Sequence, residues 1–245
     1  MTAPAGYVGY SSTPINSVGL YRIGKLTKAA IALAATSAIV TLLSILALQA
    51  AQNDARLLLD DSIDVEEFVQ RALPYLLMSV VQAVATLAAA IVTIIWMYRI
   101  AKNHRTLHRG GTWGPGWAIG GWFLPPLLYV IPFLMFRELW KASDPDVPIG
   151  GEWKSNRSSP VVPIWFVLYS LVPIGLLIAQ TSGGFASFGA SERDLARQIV
   201  DGRTSTIVSA VVAVAGAIAF ALLARGLDQR HRRLTGEAAP SVVRG

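Results

Sequence analysis

The chain predicts an all-α fold, a polytopic bundle of membrane-spanning helices, and three observations point there. Only 15% of its 245 residues are charged against 53% hydrophobic, whereas a soluble domain carries about a quarter charged. The charges are expelled into short intervals that leave five charge-free runs. These hold 25 residues between Lys28 and Asp54, 27 between Arg71 and Arg99, 27 between Arg109 and Arg137, 34 between Arg157 and Glu192, and 21 between Arg203 and Arg225. Each run meets the roughly 20 apolar residues that a helix needs to cross about 30 Å of hydrocarbon. Third, lysine and arginine are shared unevenly among the intervals, and the sharing discriminates between topologies.

In chain order, residues 1–26 open with "MTAPAGYVGYSSTPINSVGL", small, polar and rich in Gly and Pro, which suits a flexible tail. A single membrane domain is expected over 27–234. The first apolar run, about 28–51, is far longer than the roughly 7–15 residues of a signal-peptide core, so it reads as a retained first span. The interval after it holds only Arg56 and Arg71 against six acids. There Asp64 with Glu67 resembles a capping pair ahead of a short amphipathic helix carrying Phe68, Val69 and Ala72. The second span is expected at about 73–98, and "RIAKNHRTLHRGG" beyond it is basic without an acid.

The third apolar run is the ambiguous one. In "WAIGGWFLPPLLYVIPFLMFRELW", Trp117–Trp140, Pro125 and Pro126 break any helix at its centre and Pro132 follows, since proline lacks an N–H and clashes with the preceding turn. Three arrangements fit 117–136: a re-entrant dip, a proline-kinked span, or an interfacial helix. If it crosses, ten Lys/Arg fall inside and eleven outside; if it dips, sixteen fall inside and five outside. The positive-inside rule prefers the dip. Its arms, 117–124 and 127–136, would each reach roughly half the hydrocarbon depth at about 1.5 Å per residue.

Further spans are expected at about 161–180 and 205–225. Between them Ser191 with Asp194 caps a second short helix, Leu195 and Ile199 share its face, and Gly202 ends it. Residues 235–245 form a disordered tail. Four spans and a dip place both termini in the cytoplasm of the cell (inner) membrane. Tryptophans 96, 113, 117, 140, 153 and 165 gather toward that face, where indole prefers to sit. The exits "YRIAKNHRTL" and "ARGLDQRHRRL" also compare, aligning Arg99 with Arg225 and Asn103 with Gln229, a weak internal repeat.

A polar cluster of Gln82, Trp96, Arg99, Asn103 and Glu138 is the candidate site, structural or functional. Gln82, Ala85, Thr86, Ala89, Thr93, Trp96, Arg99 and Asn103 recur at helical spacing, and Ser209, Ala213, Ala217 and Ala221 form a comparable stripe. Small residues in membrane helices usually seat neighbouring helices, so the first expectation is a packed seam, with a polar pocket under the dip as the alternative. Arg99 and Glu138 are expected to pair and pin the dip to the second helix.

Catalytic and metal signatures are absent. Cys is missing, which excludes disulfides, Cys-ligated zinc and thiol nucleophiles. His104 and His108 stand at i and i+4, but "HRTLH" has Arg where a zinc protease needs its Glu, and both read as headgroup-facing. The acids Asp60, Asp61, Asp64, Glu66 and Glu67 lack the spacing of a calcium loop. Neither a G-x-S-x-G elbow nor a phosphate-binding glycine loop occurs. No cofactor, metal or nucleic-acid partner is expected.

The central block "WMYRIAKN", "PGWAIGGWFLPP", Pro132 and "RELWKAS" resembles a bacterial integral-membrane family catalogued as a domain of unknown function, number 4328. The resemblance covers roughly Lys28 to Leu234. It implies a multi-helix membrane protein and brings no activity, substrate or cofactor. The family pattern places an Asn a few positions after the first proline, where this chain has Leu127 and Leu128. The expected role is a non-enzymatic membrane component that assembles with itself or other membrane proteins in the lipid bilayer. The alternative is a small transporter or channel with its pathway near 117–136.

Overall fold

The computed structural model describes residues 19–124, 130–148, 151–172 and 191–237. All regular structure among them is helical. The helices are α1 (Gly24–Leu59), α2 (Val65–Thr106), α3 (Trp117–Gly120), α4 (Ile131–Ala142), α5 (Val161–Phe166, continued as a π-helical stretch Val167–Leu171), α6 (Glu192–Asp201) and α7 (Arg203–Leu234). Pro125 and Pro126 lie outside the described residues. So do positions 173–180 of the expected span 161–180.

Three helices, α1, α2 and α7, are long and apolar enough to cross a membrane. Helix α1 runs antiparallel to both α2 and α7, which are therefore parallel to each other. At one end Asp54 of α1 meets Arg71 of α2 at 3.4 Å and Gln52 donates to the Ile199 carbonyl. At the other end Asn103 of α2 binds the Tyr21 main chain, and Thr27 of α1 donates to Asp228 of α7 at 2.8 Å. Between Arg71 and Arg99, the charge-free stretch of α2, the exposed apolar side chains run from Leu73 to Ile95, a belt of about 33 Å at the helical rise that matches a hydrocarbon slab of about 30 Å.

Both α1 and α2 outrun the expected spans, because helix continues where apolarity stops. The capping pair at Asp64 is real, its carboxylate accepting from the Glu67 N–H at 2.8 Å. It opens α2 itself and not a separate loop helix. The turn before it needs Asp61 at φ 57°, a left-handed conformation that Asp tolerates better than most residues. The second cap agrees with expectation: Ser191 and Asp194 form a full capping box, α6 ends before Gly202, and its Ala196 and Ile199 are buried against Leu48 and Ala55.

The segment after α2 differs from its expected shape. Its first arm is a single helical turn, α3, followed by a turn through Phe123. Pro132 does not break a helix but starts one, in the first turn of α4, where a missing N–H costs nothing. The two arms touch: a Cβ on Gly121 would stand 2.3 Å from Ile131 Cγ2, so only glycine admits that approach.

The packed interior among the described residues is divided between the two ends. The larger cluster joins Trp96, Ile100, Phe136, Trp165, Leu223 and Leu227, and the smaller one lies under α6. In the larger cluster the Phe136 and Trp165 rings meet edge-on at 4.8 Å, with Trp96 6.0 Å from Phe136.

Candidate functional site

The buried polar residues concentrate just beyond the exposed apolar belt, where α2, α4 and α7 end. Asn103, Ser143 and His231 are 0% exposed and His104 is 3% exposed. Helical periodicity puts them there. Trp96, Ile100, Asn103, His104 and Leu107 lie on one face of α2, and Phe220, Leu223, Leu227, His231 and Leu234 on one face of α7. All ten are buried, so both polar sets sit on otherwise apolar stripes.

The hydrogen bonds form a directed chain. Tyr21 fixes which end of the Asn103 amide is which: its N–H donates to Oδ1 and its carbonyl accepts from Nδ2, both at 2.8 Å. Asn103 Nδ2 therefore donates its second proton to His231 Nε2 at 2.9 Å. Burial, aided by the Arg109 charge, lowers His231 to about 3, so the ring is neutral and carries its proton on Nδ1. That N–H points to Ser143 Oγ at 3.3 Å, and the Ser143 hydroxyl donates to His104 Nε2 at 3.0 Å. His104 is also held well below the usual histidine range, by burial first and then by His231 and Arg109.

Around this chain the termini are clamped. Arg109, 2% exposed, caps the end of α4 by donating to the carbonyls of Ala142 at 3.1 Å, Asp144 at 2.5 Å and Val147. A cation at a helix C-terminus is favourable because the last carbonyls carry partial negative charge. Asp144 accepts from Arg230 at 2.7 Å and from Asn156 at 2.9 Å. Glu138 accepts from the main-chain N–H groups of Thr112 and Trp113 at 3.0 and 3.1 Å. Gly111 makes room for that carboxylate, since a Cβ there would lie 2.2 Å from Glu138 Oε2.

The expected cluster is thus only partly assembled. Asn103 joins the hydrogen-bond chain and Glu138 binds nearby. Arg99 does not pair with Glu138; it reaches the Arg22 carbonyl at 3.5 Å and lies over the Tyr21 ring. The Glu138 carboxylate is instead satisfied by two adjacent main-chain N–H groups in the turn after α2. Trp96 is fully buried, and its indole N–H has no acceptor among the described residues.

Gln82 lies elsewhere, about 31 Å along α2 from Asn103 at the helical rise. It donates to Ser37 Oγ and Thr86 Oγ1 at 3.0 and 3.2 Å. These hydroxyls line a cavity of about 570 Å³ bounded by α1, α2, α5 and α7. The two small-residue stripes face it: Thr86, Ala89 and Thr93 from α2, and Ser209, Ala213 and Ala217 from α7. The expected packed seam is therefore an open space.

Sequence reasoning missed His104, Ser143, His231 and Arg109. His104 is buried and not headgroup-facing as expected, and His231 is buried beside it. The signal was present, because each histidine continues an apolar stripe at helical spacing. Ser143 and Arg109 carried no such signal, as each owes its burial to contacts between elements. Chemically, Ser143 and His104 stand at nucleophile–base distance, but both are sealed from solvent and the serine proton is committed within the chain. Among the described residues no group of three His, Cys, Asp or Glu side chains could hold a metal.

No curated protein and no solved structure matches the chain. A family model, however, covers residues 63–229, more than half of the sequence. It takes in the W-x-x-R-x-x-x-N block, the α3–α4 hairpin and His104, ending two residues before His231, and the chain belongs to the family described as Domain of unknown function (DUF4328).

Proposed function

We propose that this chain is a non-enzymatic integral membrane component, with four spans and a re-entrant hairpin between the second and third. Both termini lie on the cytoplasmic face of the cell membrane, and helix packing assembles it with further copies or other membrane proteins. The observation that carries this reading is the clamp at one end of the bundle. Glu138 holds Thr112 and Trp113, and Arg109 holds Ala142 and Asp144. These contacts hold the two ends of the 111–143 segment together at one end of the bundle, which supports the re-entrant arrangement that the charge distribution prefers. The sealed Ser143–His104–His231 chain supports a structural role, since a nucleophile without access meets no substrate.

Single cysteines test the topology cleanly in a chain that has none. Thr106→Cys and Ser155→Cys should both be protected from an impermeant maleimide on intact cells, with Ser62→Cys labelled. Opposite behaviour at 106 and 155 would mean the hairpin crosses. Assembly is tested by a photo-crosslinker at lipid-facing Val84 or Ile218. Adducts with protein support the reading, and adducts with lipid alone defeat it.

A second reading, a small transporter, is favoured by the cavity of about 570 Å³. Among the described residues no charged one lines it, and an unpaired charge is costly in such surroundings, so its solute would be neutral. Protein-dependent flux of a neutral solute into vesicles would replace the first reading with this one.

A further inference from the structure

The cavity carries more than volume. Its size, about 570 Å³, falls within the roughly 300–1,000 Å³ of small-molecule sites, which are mostly apolar with a few convergent polar groups. It also opens outward, because the lining residues Thr86 and Ala213 are exposed. Thr86 sits about 14 Å along α2 from Ile95 and about 20 Å from Leu73 at the helical rise, near mid-depth of the belt. The opening therefore faces acyl chains and not water.

Proton counting on the wall gives the ligand's polarity. The Gln82 amide spends both of its N–H protons, one on Ser37 Oγ and one on Thr86 Oγ1. The two hydroxyls stand 3.0 Å apart, so one donates to the other. With Gln82 Nε2 turned toward the hydroxyls, one hydroxyl proton of the pair is left over, and among the described residues neither hydroxyl reaches a main-chain carbonyl. Gln82 Oε1 is buried, also without a partner among the described residues, and Gln82 is not a lining residue. The wall thus offers an unspent donor in an apolar space. The indole N–H of Trp122, also a lining residue, has no acceptor among the described residues either. An unmade hydrogen bond in such surroundings is costly. The complement is an acceptor, a carbonyl oxygen, on an apolar body.

Depth narrows the choice. A phospholipid keeps its ester carbonyls beside a charged headgroup at the interface, and no lining residue could pair that charge if it followed them inward. We propose that the cavity binds a neutral lipid without an ionic headgroup, which presents a carbonyl oxygen to the Ser37–Thr86 hydroxyl pair. Glycerides and isoprenoid quinones share this chemistry. The proposal needs the bilayer setting but neither of the two functional readings above: a stationary ligand and a transported one would both occupy this place.

The test is native mass spectrometry of the full chain in detergent, titrated separately with dioleoylglycerol, a prenylated benzoquinone and dioleoylphosphatidylglycerol. A one-to-one adduct with either neutral lipid, held more tightly than the phosphatidylglycerol, is expected. Which neutral lipid binds identifies the source. Ala89→Phe and Ala217→Phe fill the cavity and should abolish the adduct. Ser37→Ala combined with Thr86→Val removes both hydroxyls with little change of shape, and should weaken binding about fivefold, the worth of one hydrogen bond. No adduct with either neutral lipid overturns the proposal, as does equal binding of phosphatidylglycerol. So does an adduct that persists in both filled variants while they melt cooperatively. If the filled variants do not fold, the Ser37→Ala/Thr86→Val double variant decides alone, and unchanged affinity there overturns it.

Discussion

Replacing Asn103 by Leu tests whether the hydrogen-bond chain holds the bundle end together. The side chain is fully buried and makes three hydrogen bonds, two to the Tyr21 main chain and one to His231 Nε2. Leu keeps the volume and removes all three. Tyr21 is 42% exposed, so water can replace its partners, and those two bonds together are worth about 1–2 kcal/mol net. His231 is sealed, and leaving its Nε2 acceptor unsatisfied costs a further 1–3 kcal/mol or so. The total, about 3–4 kcal/mol, corresponds to a melting point lower by roughly 10 °C for a chain of this size. Intrinsic tryptophan fluorescence during heating of the purified protein in lipid nanodiscs reads it. A fall of less than about 2 °C would refute the reasoning, since it would mean that α1 enters the bundle without the Asn103 clamp.

Acid should weaken the same region. His231 sits near 3 in the folded chain against about 6.5 unfolded, so the unfolded state binds more protons between those values. Stability is complete above about pH 6.5 and declines as pH falls toward 3, by roughly 2 kcal/mol at pH 5; His231→Gln should flatten the melting curve over pH 7 to 5, and an unchanged slope would count against a neutral buried ring. Gly111→Ala should cost about 1–2 kcal/mol by pushing into Glu138, and Glu138→Ala in the same chain should absorb most of that penalty in a double-mutant cycle of melting points. Additive losses would separate the two residues. Arg109→Lys retains the charge but not the planar fork that serves three carbonyls, and should lower stability by about 2 kcal/mol; a wild-type melting point would show that charge alone suffices.

The boundary between what was legible and what was not runs through single residues. Ser191 and Asp194 could be read as a cap because capping joins groups three residues apart. Asp64 could be read equally well, yet its helix extends to Thr106 with Pro74 inside it, a proline that membrane helices tolerate. Glu138 was assigned to Arg99, which lies 39 positions away, whereas Thr112 and Trp113 are nearer along the chain and already aligned. Gln82 and Asn103 share a face of α2 and were grouped on that ground, although the rise of the helix separates them. The stripes of Thr86 and Ser209 were read as packing seams, but residues of both line one open space, because close packing depends on how α1 and α5 hold α2 and α7 apart.

By itself, then, the sequence determined the all-helical class, the apolar runs long enough to span, the caps, and the charge asymmetry that favours a hairpin over a crossing. Each follows from transfer free energies summed residue by residue or from bonds within one helical turn. Only the tertiary structure decided the partners of Glu138 and Arg99, the burial of His104, Ser143 and His231, and the opening of a cavity where close packing was expected. Those outcomes depend on the relative depth and rotation of helices far apart in the chain. A shift of a few ångströms between two helices replaces a contact with a void and leaves every local preference unchanged.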